Sequence, residues 1–105
     1  MQSTEWAVVL ELATDGPLLT QSSVERVIEM LRDHQASALH NPDRYALQIV
    51  VEADGPVPAL QEALALHADA IETLRLPVWC LVRTEVMTLQ ELARGSEEPH
   101  RPWKQ

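Results

Sequence analysis

The chain has no phenylalanine, one tyrosine, one cysteine and only three glycines among its 105 residues. Without Phe, a hydrophobic share of 46 % has to be carried by Leu, Val, Ile and Ala, with three tryptophans as the large side chains. A single cysteine cannot close an internal disulfide. A chain of this length is a single domain that buries about 60 to 70 % of its unfolded surface and can fold on that core alone. The glycines are placed at turns or helix ends, which leaves no glycine-rich loop to cradle a phosphate.

Basic residues are also scarce. Eight Lys and Arg against 16 Asp and Glu give a formal charge of −8, which opposes the attraction that supplies most non-specific nucleic-acid affinity. Direct binding to nucleic acid or to an anionic membrane is not expected. No apolar run approaches the roughly 18 to 20 residues needed to span a bilayer, and the start MQSTEWAVVLEL lacks a basic region followed by a long apolar stretch. The expectation is a soluble cytoplasmic protein.

What is present is periodic. Residues 5–12, EWAVVLEL, alternate as a strand with Trp6, Val8, Leu10 and Leu12 on one face. After the turn ATDGPL, the segment LTQSSVERVIEMLRDH carries Val24, Val27, Ile28 and Leu31 at helical spacing. Thr20 or Ser22 can cap this helix, and Ser22 to Glu25 has capping-box spacing. Asn41-Pro42-Asp43 marks a hairpin between a short strand near 36–40 and a long one over 44–53, where Tyr45, Leu47, Ile49, Val51 and Ala53 share a face. Asp54 then caps a second helix whose inner stripe is Leu60, Leu64, His67, Ile71 and Leu74, stopped by Pro77. PVWCLVRTEVM is the last strand. Thr88 to Glu91 has capping-box spacing for a short helix that Gly95 ends.

Strand, helix, strand, strand, helix, strand is the order of a ferredoxin-like α+β sandwich, βαββαβ, with a four-stranded antiparallel sheet and two helices on one face. If 36–40 did not form a strand, a three-stranded βαβαβ unit would remain. The expected division is a single domain over residues 1–95 and a flexible tail over 96–105.

In such a fold the sheet face away from the helices is the natural contact surface. Strict alternation through PVWCLVRTEVM puts Cys80 under the helices as a core residue and Trp79 on the open face. The open face is then Ala7, Val9, Ala46, Val50, Trp79 and Leu81, an apolar patch large for a monomer. It calls for a second subunit related by a two-fold axis, for the C-terminal helix and tail to fold back over it, or for a small-molecule or protein partner.

Catalytic signals are weak. His34, His40, His67 and His100 have no metal-ligand spacing with one another or with Cys80, and His67 reads as a core histidine with a satisfied partner. A polymerase- or cyclase-like palm would draw on Glu11, Asp15 and Asp43, but the NPD hairpin lacks glycine and no phosphate-binding element accompanies it. Glu11, Glu52 and Glu85 share the open face as scattered rim carboxylates, more in the manner of solvation than of a metal site. RNA stacking would need aromatics on the two central strands, where Ala, Val, Gln and Glu stand instead.

Taken together, LTQSSVERVIEML, RYALQIVVEADGP, ALQEALALHADAIETLRLPVW and VRTEVMTLQEL, after a Trp-bearing first strand, resemble a group of small α+β domains from actinobacteria over roughly residues 5–94. In that group the domain looks like an N-terminal module whose last segment leads into a helix-turn-helix DNA-binding region. The resemblance implies no catalytic residue, and any DNA-related role of this chain would come through a partner. The expectation is a non-catalytic interaction or regulatory module without cofactor or metal, a homodimer through the open sheet face, with a further protein partner allowed. An ACT-like small-ligand sensor is the second reading and a dimeric α/β-barrel-type enzyme the third.

Overall fold

The computed structural model describes residues 4–13, 20–41, 43–77 and 79–96. The chain is an α+β domain whose four-stranded antiparallel sheet has the order β2-β3-β1-β4. The strands are β1 (Thr4–Ala13), β2 (Ser37–Asn41), β3 (Arg44–Ala53) and β4 (Cys80–Thr88). The helices are α1 (Gln21–Met30), α2 (Pro56–Leu74) and α3 (Leu89–Ser96), with a 3₁₀ turn at Arg32–His34. The short second strand does form, so the three-stranded alternative is set aside. Of the expected tail over 96–105, Ser96 closes α3 and the remainder lies outside the described residues.

The long strands β1 and β3 form the centre because both alternate cleanly and pair over ten residues, from Thr4 opposite Ala53 to Ala13 opposite Arg44. Val8, Leu10 and Leu12 of β1 and Tyr45, Leu47, Ile49 and Val51 of β3 enter one methyl-rich core with Val27 and Leu31 of the α1 segment and Ala59, Ala63, Ala70 and Ile71 of α2. Helices α1 and α2 touch one another on that side of the sheet. Trp6 lies at the margin of the same core, where its indole N–H donates to the Ala53 carbonyl at 3.1 Å.

Local signals decide the helix ends, not always as expected. Thr20, extended at ψ 152°, caps α1 by accepting from the Ser23 N–H at 3.1 Å. The capping box expected from Ser22 does not form, and Glu25 instead accepts from the Gln21 side chain at 2.9 Å. At α2 the cap residue is Gly55 rather than Asp54, and it makes no side-chain bond. The physical reason is that Pro56 and Pro58 in the first turn carry no N–H, so two of the donors a cap would satisfy do not exist. The helix ends in a Schellman arrangement: Arg75 takes the left-handed conformation at φ 57°, and Leu76 N–H reaches the Ile71 carbonyl at 3.0 Å. At α3 the expected box is present, with Thr88 N–H to Glu91 at 2.9 Å and Glu91 N–H to the Thr88 hydroxyl at 3.1 Å. Gly95 falls inside α3 rather than after it.

The buried stripe of α2 is rotated from the leucine row toward the alanines. Ala59, Ala63, His67, Ala70 and Ile71 are buried, while Leu60, Leu64 and Leu74 pack at its flanks. Short side chains let the helix axis come close to the sheet, and the longer leucines then fill the wedges on either side. Replacing Thr20 by Ala is expected to cost about 1 kcal/mol in urea unfolding, whereas Ser22→Ala should change stability by less than about 0.5 kcal/mol. Equal losses at the two positions would contradict the observed cap.

Candidate site: the Tyr45–His67–Trp79 cluster and its cleft

Strand β4 pairs with β1 in register from Trp6 opposite Thr88 to Glu11 opposite Arg83, and then slips: Leu12 faces Leu81 and Ala13 faces Cys80. Val82 is the extra residue of a β-bulge, and one extra residue exchanges the faces of everything before it. Leu81 therefore moves to the helix side and Cys80 to the open side. The expected placements of Trp79, Cys80 and Leu81 are corrected accordingly. Trp79, just ahead of the strand, is 8 % exposed and belongs to the core, while Cys80 is a free, exposed thiol. Strict alternation fails here because it assumes an unbroken ladder.

Turned inward, Trp79 stacks its indole edge-on against Tyr45, with ring centroids 5.3 Å apart and planes at 61°. Tyr45 lies at the start of β3, and its hydroxyl is hydrogen-bonded to Nε2 of His67, which α2 holds on its buried stripe. The Tyr45 and His67 rings are 6.0 Å apart and tilted by 46°. Burial acts on both groups in the direction of neutrality. It holds the His67 imidazolium below its usual pKa and pushes the Tyr45 phenol well above its own. The pair is thus uncharged at neutral pH, joined by one hydrogen bond between the phenol oxygen and Nε2. The core histidine with a partner is as expected; that the partner is the lone tyrosine could be suspected only from both lying on inward faces.

Beside this cluster, where α2 ends and β4 begins, a cleft of about 580 Å³ is lined by Leu12, Leu64, Ile71, Leu76, Trp79 and Leu81. His67 reaches its wall from the buried side, and exposed Glu72 and Arg75 contribute its charged groups. Pockets that hold small ligands fall between about 300 and 1,000 Å³ and share this makeup of apolar walls with few polar groups.

The open face of the sheet is less apolar than alternation suggested. Ala7, Val9 and Val50 do lie on it, opposite the helices, but they are already buried, Ala7 completely at 0 % exposure. Ala46 is partly covered. Among the described residues, helix α3 touches β1 and β4 and neither other helix. His34 donates through Nδ1 to the Val50 carbonyl at 3.1 Å, closing the edge of β3 beyond the start of β2. Further along the face run two ion pairs, Arg44–Glu11 at 3.2 Å and Arg83–Glu85 at 3.2 Å.

Those pairs engage two of the carboxylates considered for chemistry. Glu11 and Glu85 are engaged by arginine, Glu52 and Asp43 are exposed, and Asp15 and His100 lie outside the described residues. Among the described residues no three His, Cys, Asp or Glu side chains come together as a metal would require. No described helix is long and apolar enough to cross a membrane. Compared with known proteins, the chain matches no family model, no curated protein and no solved structure.

Two outcomes test the cluster. Trp79→Ala should cost about 3 to 5 kcal/mol, a large share of a typical domain's total, whereas Cys80→Ser next to it should lie within about 0.5 kcal/mol of the wild type. Because the folded His67 pKa is lowered from 6.5, its contribution is fully present above that pH and is lost as pH falls toward the folded value, where the unfolded chain alone takes the proton. Urea midpoints measured from pH 8 to 5 should fall more steeply for the wild type than for His67→Leu. Parallel curves would show that the imidazole is not held neutral.

Proposed function

We propose that this chain is a ferredoxin-like, non-catalytic module that binds a small, largely apolar ligand in the cleft between the C-terminal half of α2 and the adjoining ends of β1 and β4. The fold reading is supported by the order β2-β3-β1-β4 and by the pairing of α1 with α2 on one side of the sheet. The cleft carries the functional reading: about 580 Å³, walled by leucines, Ile71 and Trp79, with neutral His67 and the Glu72 and Arg75 charges as its polar features. Binding is favoured over turnover because the buried titratable group in its wall, His67, has its Nε2 already engaged by the Tyr45 hydroxyl.

This is the sensor reading with the ligand in the chain's own cleft rather than between subunits. The dimer through the sheet face loses its two largest contributors, Trp79 and Leu81, and keeps Ala7, Val9, Ala46 and Val50, most of whose surface is already covered. A regulatory setting in the cytoplasm agrees with the acidic charge, with the lone exposed thiol, which suits a reducing compartment, and with the resemblance to domains that precede a helix-turn-helix region.

The test is thermal melting with a panel of straight-chain and aromatic carboxylates and the corresponding amines, alongside tryptophan emission. A probe present at about 100 times its Kd stabilises by about 2.7 kcal/mol, a shift on the order of 10 °C or more for a domain of this size. Ala68, exposed on the wall of the cleft, can be enlarged without entering the core. Ala68→Phe should keep the fold and abolish the shift. A shift that Ala68→Phe leaves intact, or none with any probe, would overturn the proposal.

A further inference from the structure

From the charge pattern of β4 we infer a second binding surface, independent of the cleft: the outer edge of β4 pairs antiparallel with the same edge of a second copy of this chain, about a two-fold axis at Thr84.

Strand β4 ends the sheet, with β1 on one side and, among the described residues, no strand on the other. The elements that touch it besides β1 are α2 and α3, and both also touch β1, so each lies over a face or end of the sheet rather than along its rim. Among the described residues, Leu81 at 40 % and Val82 at 47 % are exposed on this strand, as is Arg83, while Thr84–Thr88 are half-buried. An edge strand leaves a row of backbone donors and acceptors unpaired, which is a template for another strand.

The only charged residues in CLVRTEVMT are Arg83 and Glu85, one on each side of Thr84. Both lie on the open face, where they pair within the chain at 3.2 Å. In a symmetric antiparallel pairing centred on Thr84, Arg83 of each copy stands directly opposite Glu85 of the other. The two intrachain pairs then close into a square of alternating charge. Face matching allows the register to change only in steps that move the axis by one residue along the strand. An axis at Arg83 or at Glu85 puts like charges directly opposite, so both neighbouring registers are disfavoured by the same two residues. Val82 and Val86 pair next, flanking the charges.

The bulge limits the ladder as well. Before Val82 the faces are exchanged, so Leu81 and Cys80 cannot match Met87 and Thr88 of the other copy, and pairing runs over Val82–Val86 alone. An edge charge and a bulge commonly serve to keep strands apart. Here the charges are self-complementary in one register, and the bulge residue Val82 enters that register only at its end. A second copy presents this complement by symmetry, whereas an unrelated strand would have to supply it.

The experiment is sedimentation of the full chain over a dilution series, with circular dichroism to confirm folding of each variant. The wild type should show a species of twice the chain mass that dissociates on dilution and on adding salt. Glu85→Arg and Arg83→Glu should each be monomeric, and the double exchange Arg83→Glu with Glu85→Arg should dimerise again. In a Cys80→Ser background, Thr84→Cys should give an interchain disulfide on oxidation. A wild type that stays monomeric at every concentration, a dimer indifferent to the single charge reversals, or failure of the double exchange to restore it would overturn the inference. A dimer lost instead on Ala46→Glu would move the contact to the sheet face and overturn it equally.

Discussion

One extra residue in β4 organises the half of this molecule that holds the candidate site. Opposite Glu11 and Leu12 the ladder admits Val82 without a partner, and every side chain before it changes face. Trp79 is thereby delivered to the core, Leu81 to the wall of the cleft and Cys80 to solvent. Without the bulge, the largest apolar side chain of the segment would stand on the outer face of the sheet. The cost of an interrupted ladder is offset by the burial of an indole, on the order of 4 to 6 kcal/mol by area.

The inward turn of Trp79 matters because the rest of the core is small. A sheet of Val, Leu and Ile under alanine-lined α2 packs closely but fills space in small units, and there is no Phe to bridge larger gaps. Tyr45 and Trp79 supply the missing bulk at the end of the sheet where β1 finishes and α2 terminates. There Tyr45 brings a hydroxyl inside, and His67 answers it, so that the described buried side-chain polar atoms all have partners. The cleft lies beside this aromatic wedge, with Leu64 of α2 in its wall. The same bulge that shapes the cleft also ends the in-phase part of β4's outer edge, so the two surfaces share one structural origin while using different residues.

The strands and helices were legible from the chain because each depends on periods of a few residues. Alternation identified β1, β3 and their inner faces, and the Thr88 and Glu91 spacing identified the cap of α3, since both are local patterns that no distant contact overrides. Where two local signals competed, the outcome was not legible: Thr20 rather than Ser22 caps α1, and prolines made a cap at Asp54 unnecessary. The candidate site was hidden more deeply. Its members come from β3, α2 and the approach to β4, and the alternation that should have oriented Trp79 was broken by a residue that no local pattern marks as unpaired.

The sequence by itself determined the α+β class, the order of the elements, the methyl-rich core and the acidic surface, because these follow from composition and short-range periodicity. It also placed His67 inside. Only the tertiary structure decided which face Trp79 and Cys80 take, that Tyr45 is the partner of His67, and that a cleft opens beside them. The physical reason is that strand register is a property of two strands: whether Val82 finds a partner depends on how β1 is anchored to β3 along its whole length, and a single unpaired residue reverses every assignment beyond it.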